Sequence, residues 1–221
     1  MQGIYADHEI NIARERNIQV VIHNMNQFKL VGKNDNELGL WIKINTGMNR
    51  LGLSQEELKA VYEKGIIKSD SVLMTHMACA DNPDDPMNKI QINNFEKAFN
   101  LVERQTKRSI CNSASLINFP ELSFDWVRSG IAAFGGEFKN LNLKTAMTFR
   151  APIISIRNIR KGERVGYGGR KKAPKDMRIA IVYAGYADGI PQTTVDGTKV
   201  LVNDKQAEIF GRVSMDLVSI D

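Results

Sequence analysis

Cysteine is almost absent from this 221-residue chain: Cys79 and Cys111 are too few for a disulfide scaffold, and neither sits in a C-x-x-C pair. Histidine is as scarce. His8, His23 and His76 have no ligand-like spacing with each other or with the cysteines, which argues against a metal site. No run approaches the roughly 18 apolar residues that a membrane-spanning helix needs. The opening "MQGIYADHEI" lacks a basic start followed by an apolar stretch, so no signal peptide is visible and the expected location is cytoplasmic. Aromatics make up only 7% of the chain, and the densest basic run, "RKKAPKDMR" at 170–178, has none interleaved. The net charge of +5 therefore reads as a solvated loop and a possible small anionic ligand rather than a nucleic-acid surface.

What is present falls into two textures. From about residue 10 to 135, short runs rich in Val, Ile and Leu alternate with segments of helical period, a β/α alternation that implies parallel strands. The runs are "IQVVIHN" (18–24), "LGLWIKIN" (38–45), "SVLMTHM" (71–77), "RSICNS" (108–113) and "FDWVRSGIAAFG" (124–135). Between them, Ser54 with Glu57 makes a capping box, and Pro86 stands at the entrance of a helix carrying Phe95, Ala98, Phe99 and Val102. After about residue 140, "APIISIRNIR", "MRIAIVYAGY", "TKVLVND" and "AEIFGRVSMDLVSI" are β-rich without helical period, and Asn203-Asp204 reads as a hairpin turn. The expected organisation is α/β plus all-β: a barrel-type unit over 1–138 and a β-strand domain over 139–221.

The ends of the apolar runs carry the chemistry. A strand buried on both faces should be apolar throughout. Here the polar groups cluster after the strands: Lys43, Asn45 and Arg50; His76 and Asp81; Asn112 and Ser113; Arg128. In (β/α)8 barrels that end is where active sites form. In the second half, "VGYGG" (165–169) clears bulk around one phenol, Tyr167, either as a hairpin turn beside a core tyrosine or to let the phenol approach another surface.

"WIKINTGMNRLG" (41–52), "THMACADN" (75–82), "CNSAS" (111–115), "FDWVRSGI" (124–131), "VGYGG", "AGYADG" (184–189) and "GRVSMD" (211–216) come in the order seen in alanine racemases, and the chain resembles that family along its whole length. The resemblance implies a (β/α)8 TIM-type barrel followed by a β domain, with pyridoxal 5′-phosphate as cofactor. It also implies racemisation of L- and D-alanine by two bases, supplying D-alanine for peptidoglycan, in a head-to-tail homodimer with shared active sites. Serine or another small amino acid is an alternative substrate, and a non-catalytic truncated remnant an alternative function.

By resemblance, Ser113, Gly130 and Ile131 would hold the phosphate, with Asn112 beside them. Arg128 would face the pyridine nitrogen. Since arginine only donates, that nitrogen would remain an acceptor, weakening the ring as an electron sink and favouring reprotonation at Cα over transamination. His76 would stack by the ring and hydrogen-bond toward Arg128 and the tyrosine. Arg50 would reach the substrate carboxylate or the cofactor's phenolic oxygen, oriented by Lys43, which matches a lysine often carbamylated in the family. Tyr167 would be one of the two bases, Tyr186 would line the entry channel, and Met215 and Asp216 would shape the substrate-carboxylate end.

Departures are plain. No "K-A-N-A-Y-G-H-G"-like block, which carries the family's cofactor lysine, occurs, and "MQGIY" matches the end of the third barrel strand. About three strands are lacking, and five strands do not close an eight-stranded barrel. The chain is thus expected to be part of a longer protein, or a truncated product needing a complementing piece, and inactive alone. Asn45, Ser129 and Gln192 replace the family's usual aspartate, proline and arginine.

Overall fold

The computed structural model describes residues 2–33, 38–103, 106–136, 138 and 141–221. The chain divides into two compact units, Met1–Met147 and Thr148–Asp221. The expected boundary at 138/139 falls beside residues 137, 139 and 140, which lie outside the described residues.

In the first unit the elements alternate: α1 (Asp7–Glu15), β1 (Val20–Ile22), α2 (Met25–Lys33), β2 (Leu40–Lys43), α3 (Gln55–Glu63), β3 (Val72–Met74), α4 (Pro86–Leu101), β4 (Lys107–Ser109) and α5 (Ser113–Asn118). The four strands pair in parallel in the order β1-β2-β3-β4, with Val21 opposite Trp41, Trp41 opposite Val72 and Val72 opposite Lys107. Parallel strands need their faces covered, and β1 and β3 are wholly buried. Ile22, Ile42, Leu73, Leu58, Val61 and Phe95 form one continuous core between sheet and helices. The sheet and its helices constitute part of a (β/α)8 barrel.

Local sequence explains the helix ends. Ser54 Oγ accepts from the Glu57 N–H (3.1 Å) while the Glu57 carboxylate accepts from the Ser54 N–H (2.8 Å), the reciprocal capping box. Pro86 sits in the first turn of α4, where its missing N–H costs nothing, and Asp85 caps the Met87 N–H at 2.8 Å.

The run 124–135 is not a regular strand. Residues 126–128 lie along β4, with the Trp126 N–H donating to Arg108 O (3.2 Å) and the Arg128 N–H to Cys111 O (2.9 Å), and a 3₁₀ turn over Ile131–Phe134 follows. Gly130, with φ −108° and ψ −83°, breaks the extended conformation.

The second unit is antiparallel. β5 (Ile153–Ile159), β8 (Met177–Val182) and β11 (Val218–Ile220) form a sheet ordered β11-β8-β5, while β6 (Arg164–Val165) pairs with β7 (Lys171–Lys172) and β9 (Lys199–Val202) with β10 (Lys205–Glu208). Asn203 and Asp204 turn the β9–β10 hairpin at φ 47° and 63°, the left-handed pair a tight two-residue hairpin requires. The basic run 170–178 is only partly loop: it contributes β7 and the start of β8. Short 3₁₀ turns at Tyr167–Gly169 and Tyr186–Asp188 are this unit's helical turns. Two small apolar clusters, Val165/Ile179/Phe210 and Ile209/Val213/Val218/Ile220, hold it together. No described helix in either unit is long and apolar enough to cross a membrane.

Candidate active site

The polar groups of the first unit converge at the C-terminal ends of its strands, because every βα loop leaves a parallel sheet on the same side. Lys43 closes β2, Thr75 and His76 follow β3, Asn112 and Ser113 follow β4, and Arg128 follows the segment along β4.

Arg128 is held from three sides. Its Nη1 donates to Ser109 Oγ, and its Nη2 to the carbonyls of Thr75 and of Ile110 (3.2 Å). Nε is buried and has no partner among the described residues. A buried donor without an acceptor costs about 1–3 kcal/mol, so the guanidinium is oriented with one donor reserved. Arg128 also lines a cavity of about 540 Å³ with Gly3, Val21 and Trp41. Burial lowers its pKa to about 10, which leaves it a cation at neutral pH.

Lys43 is buried with no carboxylate paired to it among the described residues. Burial first, then the charges of Arg50 and Arg128, lower its pKa. His76 lies among the same cations. Burial first, then repulsion from Arg128, Arg50 and Lys43, pushes its pKa down to about 4, so the imidazole is neutral at pH 7. Its ring Nε2 faces the Asn112 amide nitrogen at 3.4 Å rather than Arg128, whose terminal nitrogens are occupied by strand-end acceptors. Lys43, His76 and the exposed Arg50 line one cleft together with Thr46 and Thr75.

A second group lies at the start of α5. Asn112 Oδ1 caps the helix by accepting from the Ser115 N–H (3.0 Å), while its Nδ2 donates to Met77 O (3.1 Å), tying the β3 and β4 loops together. Ser113 Oγ accepts from the backbone N–H groups of Gly130 (2.9 Å) and Ala132 (3.1 Å). A hydroxyl, a helix start and a turn of N–H groups thus meet at Ser113, Gly130 and the exposed Ile131, the ingredients of an anion cradle.

The remaining expected residues belong to the second unit. Tyr167 is 70% exposed, on a turn where Gly166 and Gly168 adopt φ 71° and 73°. The Tyr186 N–H donates to Ser214 O (3.0 Å) and the Ala187 N–H to Met215 O (2.9 Å), so the "YADG" turn is stitched to the segment bearing Met215 and Asp216. A Cβ on Gly185 would lie 2.2 Å from Met215 O, which is why glycine stands there. The structure therefore gathers Lys43, Arg50, His76, Asn112, Ser113, Arg128 and Gly130 in one unit, and Tyr186, Met215 and Asp216 in the other. Sequence reasoning missed Thr46, Thr75, Ser109 and Ala132, which support the group through backbone atoms or hydroxyls.

Fold and side chains together define a chain made of part of a (β/α)8 barrel, with a group of cations and polar side chains at its strand ends, followed by a β unit. Residues 1–137 match the family model "Alanine racemase, N-terminal domain" and residues 146–221 "Alanine racemase, C-terminal domain". The chain belongs to the alanine racemase family. It is 40% identical to an alanine racemase of Vesicomyosocius okutanii and 39% identical to one of Coxiella burnetii, over all of this chain in both cases. Among solved structures it resembles alanine racemases of Acinetobacter baumannii (37% identity, TM-score 0.85) and Pseudomonas aeruginosa (33%, TM-score 0.88), again over its full length. The chain spans 64% and 65% of the two curated relatives, and 65% and 64% of the two solved chains.

Proposed function

We propose that this chain forms the larger part of a pyridoxal 5′-phosphate-dependent alanine racemase that supplies D-alanine for peptidoglycan in the cytoplasm. The observation that carries the reading is the buried, unpartnered Nε of Arg128 in a guanidinium whose two terminal nitrogens both have acceptors. That donor fits an acceptor nitrogen on a planar ring, and the Ser113–Gly130 cradle fits the ring's phosphate. Bound there, pyridoxal phosphate would supply an electron sink conjugated to the substrate Cα.

Arg128 would hold the pyridine nitrogen through Nε, and since arginine only donates, that nitrogen would stay an acceptor and the sink weak. Ser113 and the N–H groups of Gly130 and Ile131 would anchor the phosphate, and Asn112 would hold His76 beside the ring. Arg50 binds the substrate carboxylate. Lys43, whose depressed pKa favours the neutral amine that can add carbon dioxide, gives the carbamate and a proton; the resulting carboxylate orients Arg50. Tyr167 moves a proton at one face of Cα, so that a C–H bond broken on one side is replaced by one formed on the other, with a second base opposite. Its exposure on a glycine-cleared turn suits insertion into the barrel mouth of a partner subunit in a head-to-tail homodimer. Tyr186, Met215 and Asp216 border that mouth. The functional boundary between barrel and β domain lies at 138/139.

The Ser113 hydroxyl with its neighbouring backbone N–H groups also favours a second reading, a chain that binds phosphate ligands without turning over amino acids. Titration of the chain with pyridoxal phosphate, followed by equilibrium dialysis, tests both. Binding competed by inorganic phosphate and weakened at least about tenfold in Ser113→Asp is expected, since an added carboxylate repels the phosphate yet suits a helix start. Absence of binding by the wild-type chain would overturn both readings. Racemisation on adding a piece bearing the family's lysine block separates the first from the second.

A further inference from the structure

Gln91 is fully buried on α4, in phase with the apolar residues Phe95 and Ala98. An amide in such a stripe is costly unless every polar atom finds a partner. Here each does. Oε1 accepts from the Ala78 N–H (2.8 Å), and Nε2 donates to His76 O (2.9 Å) and to Thr46 Oγ1 (3.0 Å). One side chain thus binds the loop after β2 and the loop after β3 at once.

The chain of hydroxyls beyond it has a single direction. Thr75 Oγ1 donates to Ile44 O (3.1 Å), so its contact with Thr46 Oγ1 at 2.7 Å must be one it accepts; Thr46 in turn accepts from Gln91. One turn along α4, Asn94 Nδ2 donates to Thr46 O (3.0 Å). Thr75 O is also a carbonyl that receives Arg128 Nη2. The hydroxyl chain ends on Ile44 O, and it is the Thr75 backbone that joins these contacts to the guanidinium through its carbonyl. The β2 loop has little room to move off it: a Cβ on Gly47, at φ 146°, would meet Gln91 Cγ at 3.4 Å and Met87 Sδ at 3.1 Å.

We infer that Gln91 is a positioning residue, setting where His76 and the Thr46–Arg50 loop stand relative to Arg128. The inference rests on reading that cleft as the cofactor and substrate end. It touches no reacting atom; its effect passes through His76 O and Thr46.

The test uses Gln91→Met, which keeps length and removes all three hydrogen bonds, and Thr46→Val, which keeps shape and cuts the hydroxyl chain from the loop side. Phe95→Leu, on the same buried stripe, is the packing control. His76 is followed by NMR titration of its ring signal, assigned by its loss in His76→Gln. Gln91→Met and Thr46→Val are each expected to move the His76 midpoint by about one pH unit, because the imidazole leaves its present distance from the three cations. Phe95→Leu is expected to lower the urea midpoint of the first unit and leave His76 where it is. Partial return of the wild-type midpoint in Gln91→Asn, which keeps an amide that both donates and accepts, would add support. An unmoved His76 in Gln91→Met or, should that variant not fold, in Thr46→Val overturns the inference, as does an equal movement in Phe95→Leu. Failure of the wild-type chain to bind pyridoxal phosphate would count against the proposed function alone, since the His76 titration needs no cofactor.

Discussion

Acidification should destabilise the first unit through His76 before any carboxylate contributes much. The folded-state pKa is about 4, against 6.5 for the free side chain, because the ring is buried and faces Arg128, Arg50 and Lys43. Between those two values the unfolded chain binds a proton that the folded chain refuses, so stability falls as pH falls through the window and levels off below it. Above pH 6.5 the penalty is absent. The full shift corresponds to about 3 kcal/mol, and the part realised between pH 7 and pH 5 to about 2; partial solvent access to the ring reduces the latter to about 1–2 kcal/mol. The assay is urea unfolding followed by tryptophan fluorescence. Both tryptophans, Trp41 and Trp126, lie in the first unit with ring centroids 5.8 Å apart, so the signal reports that unit. Glu9 and Glu56 have pKa values lowered by the backbone N–H groups of Tyr5 and Ala6 and by the Ser54 hydroxyl respectively, which moves their titration further from the window above pH 5. The His76→Gln variant should lose most of the slope between pH 7 and 5. Identical slopes in wild type and variant would refute the placement of a neutral histidine among these cations.

Two further outcomes follow from packing. Gly185→Ala should destabilise the second unit by at least about 2 kcal/mol, because its Cβ would overlap Met215 O at 2.2 Å and force the "YADG" turn off Ser214 and Met215; hydrogen exchange at the Tyr186 and Ala187 amides would report the opening. Arg108 stands over Phe99 (4.7 Å) and Phe124 (3.6 Å) and pairs with Glu96 (3.4 Å), while its N–H donates to Asp125 (2.8 Å). Arg108→Lys should therefore cost about 1 kcal/mol despite keeping the charge, since an ammonium cannot lie flat between two rings, and urea unfolding by tryptophan fluorescence would measure it.

Much of the frame was legible in one dimension. A capping box at Ser54, a proline opening α4 and an Asn-Asp pair turning a hairpin are short-range devices, written within four residues of where they act, and each appears where its pattern stands. Polar residues confined to the ends of apolar runs pointed to one side of a parallel sheet because βα loops all leave that side. The run at 124–135 was less legible. Its apolar content suited a strand, yet pairing needs a partner edge, and only residues 126–128 find one before Gly130 turns the chain.

The site itself divides along the same line. The residue types at Lys43, Arg50, His76, Ser113, Arg128 and Tyr167 were set by sequence, and so was their order, which sufficed for the family. The charge states of His76 and Lys43 were a tertiary outcome: His76 is neutral and Lys43 depressed because folding buries both and brings the Arg128 and Arg50 charges near them, a sum over distances that no local pattern contains. The reserved donor on Arg128 and the amide of Gln91 are likewise tertiary, since hydrogen-bond saturation depends on carbonyls contributed by strands and loops far apart in the chain. Local rules determined the elements and the inventory of chemistry; long-range packing decided which of those groups are charged, held or left free to bind.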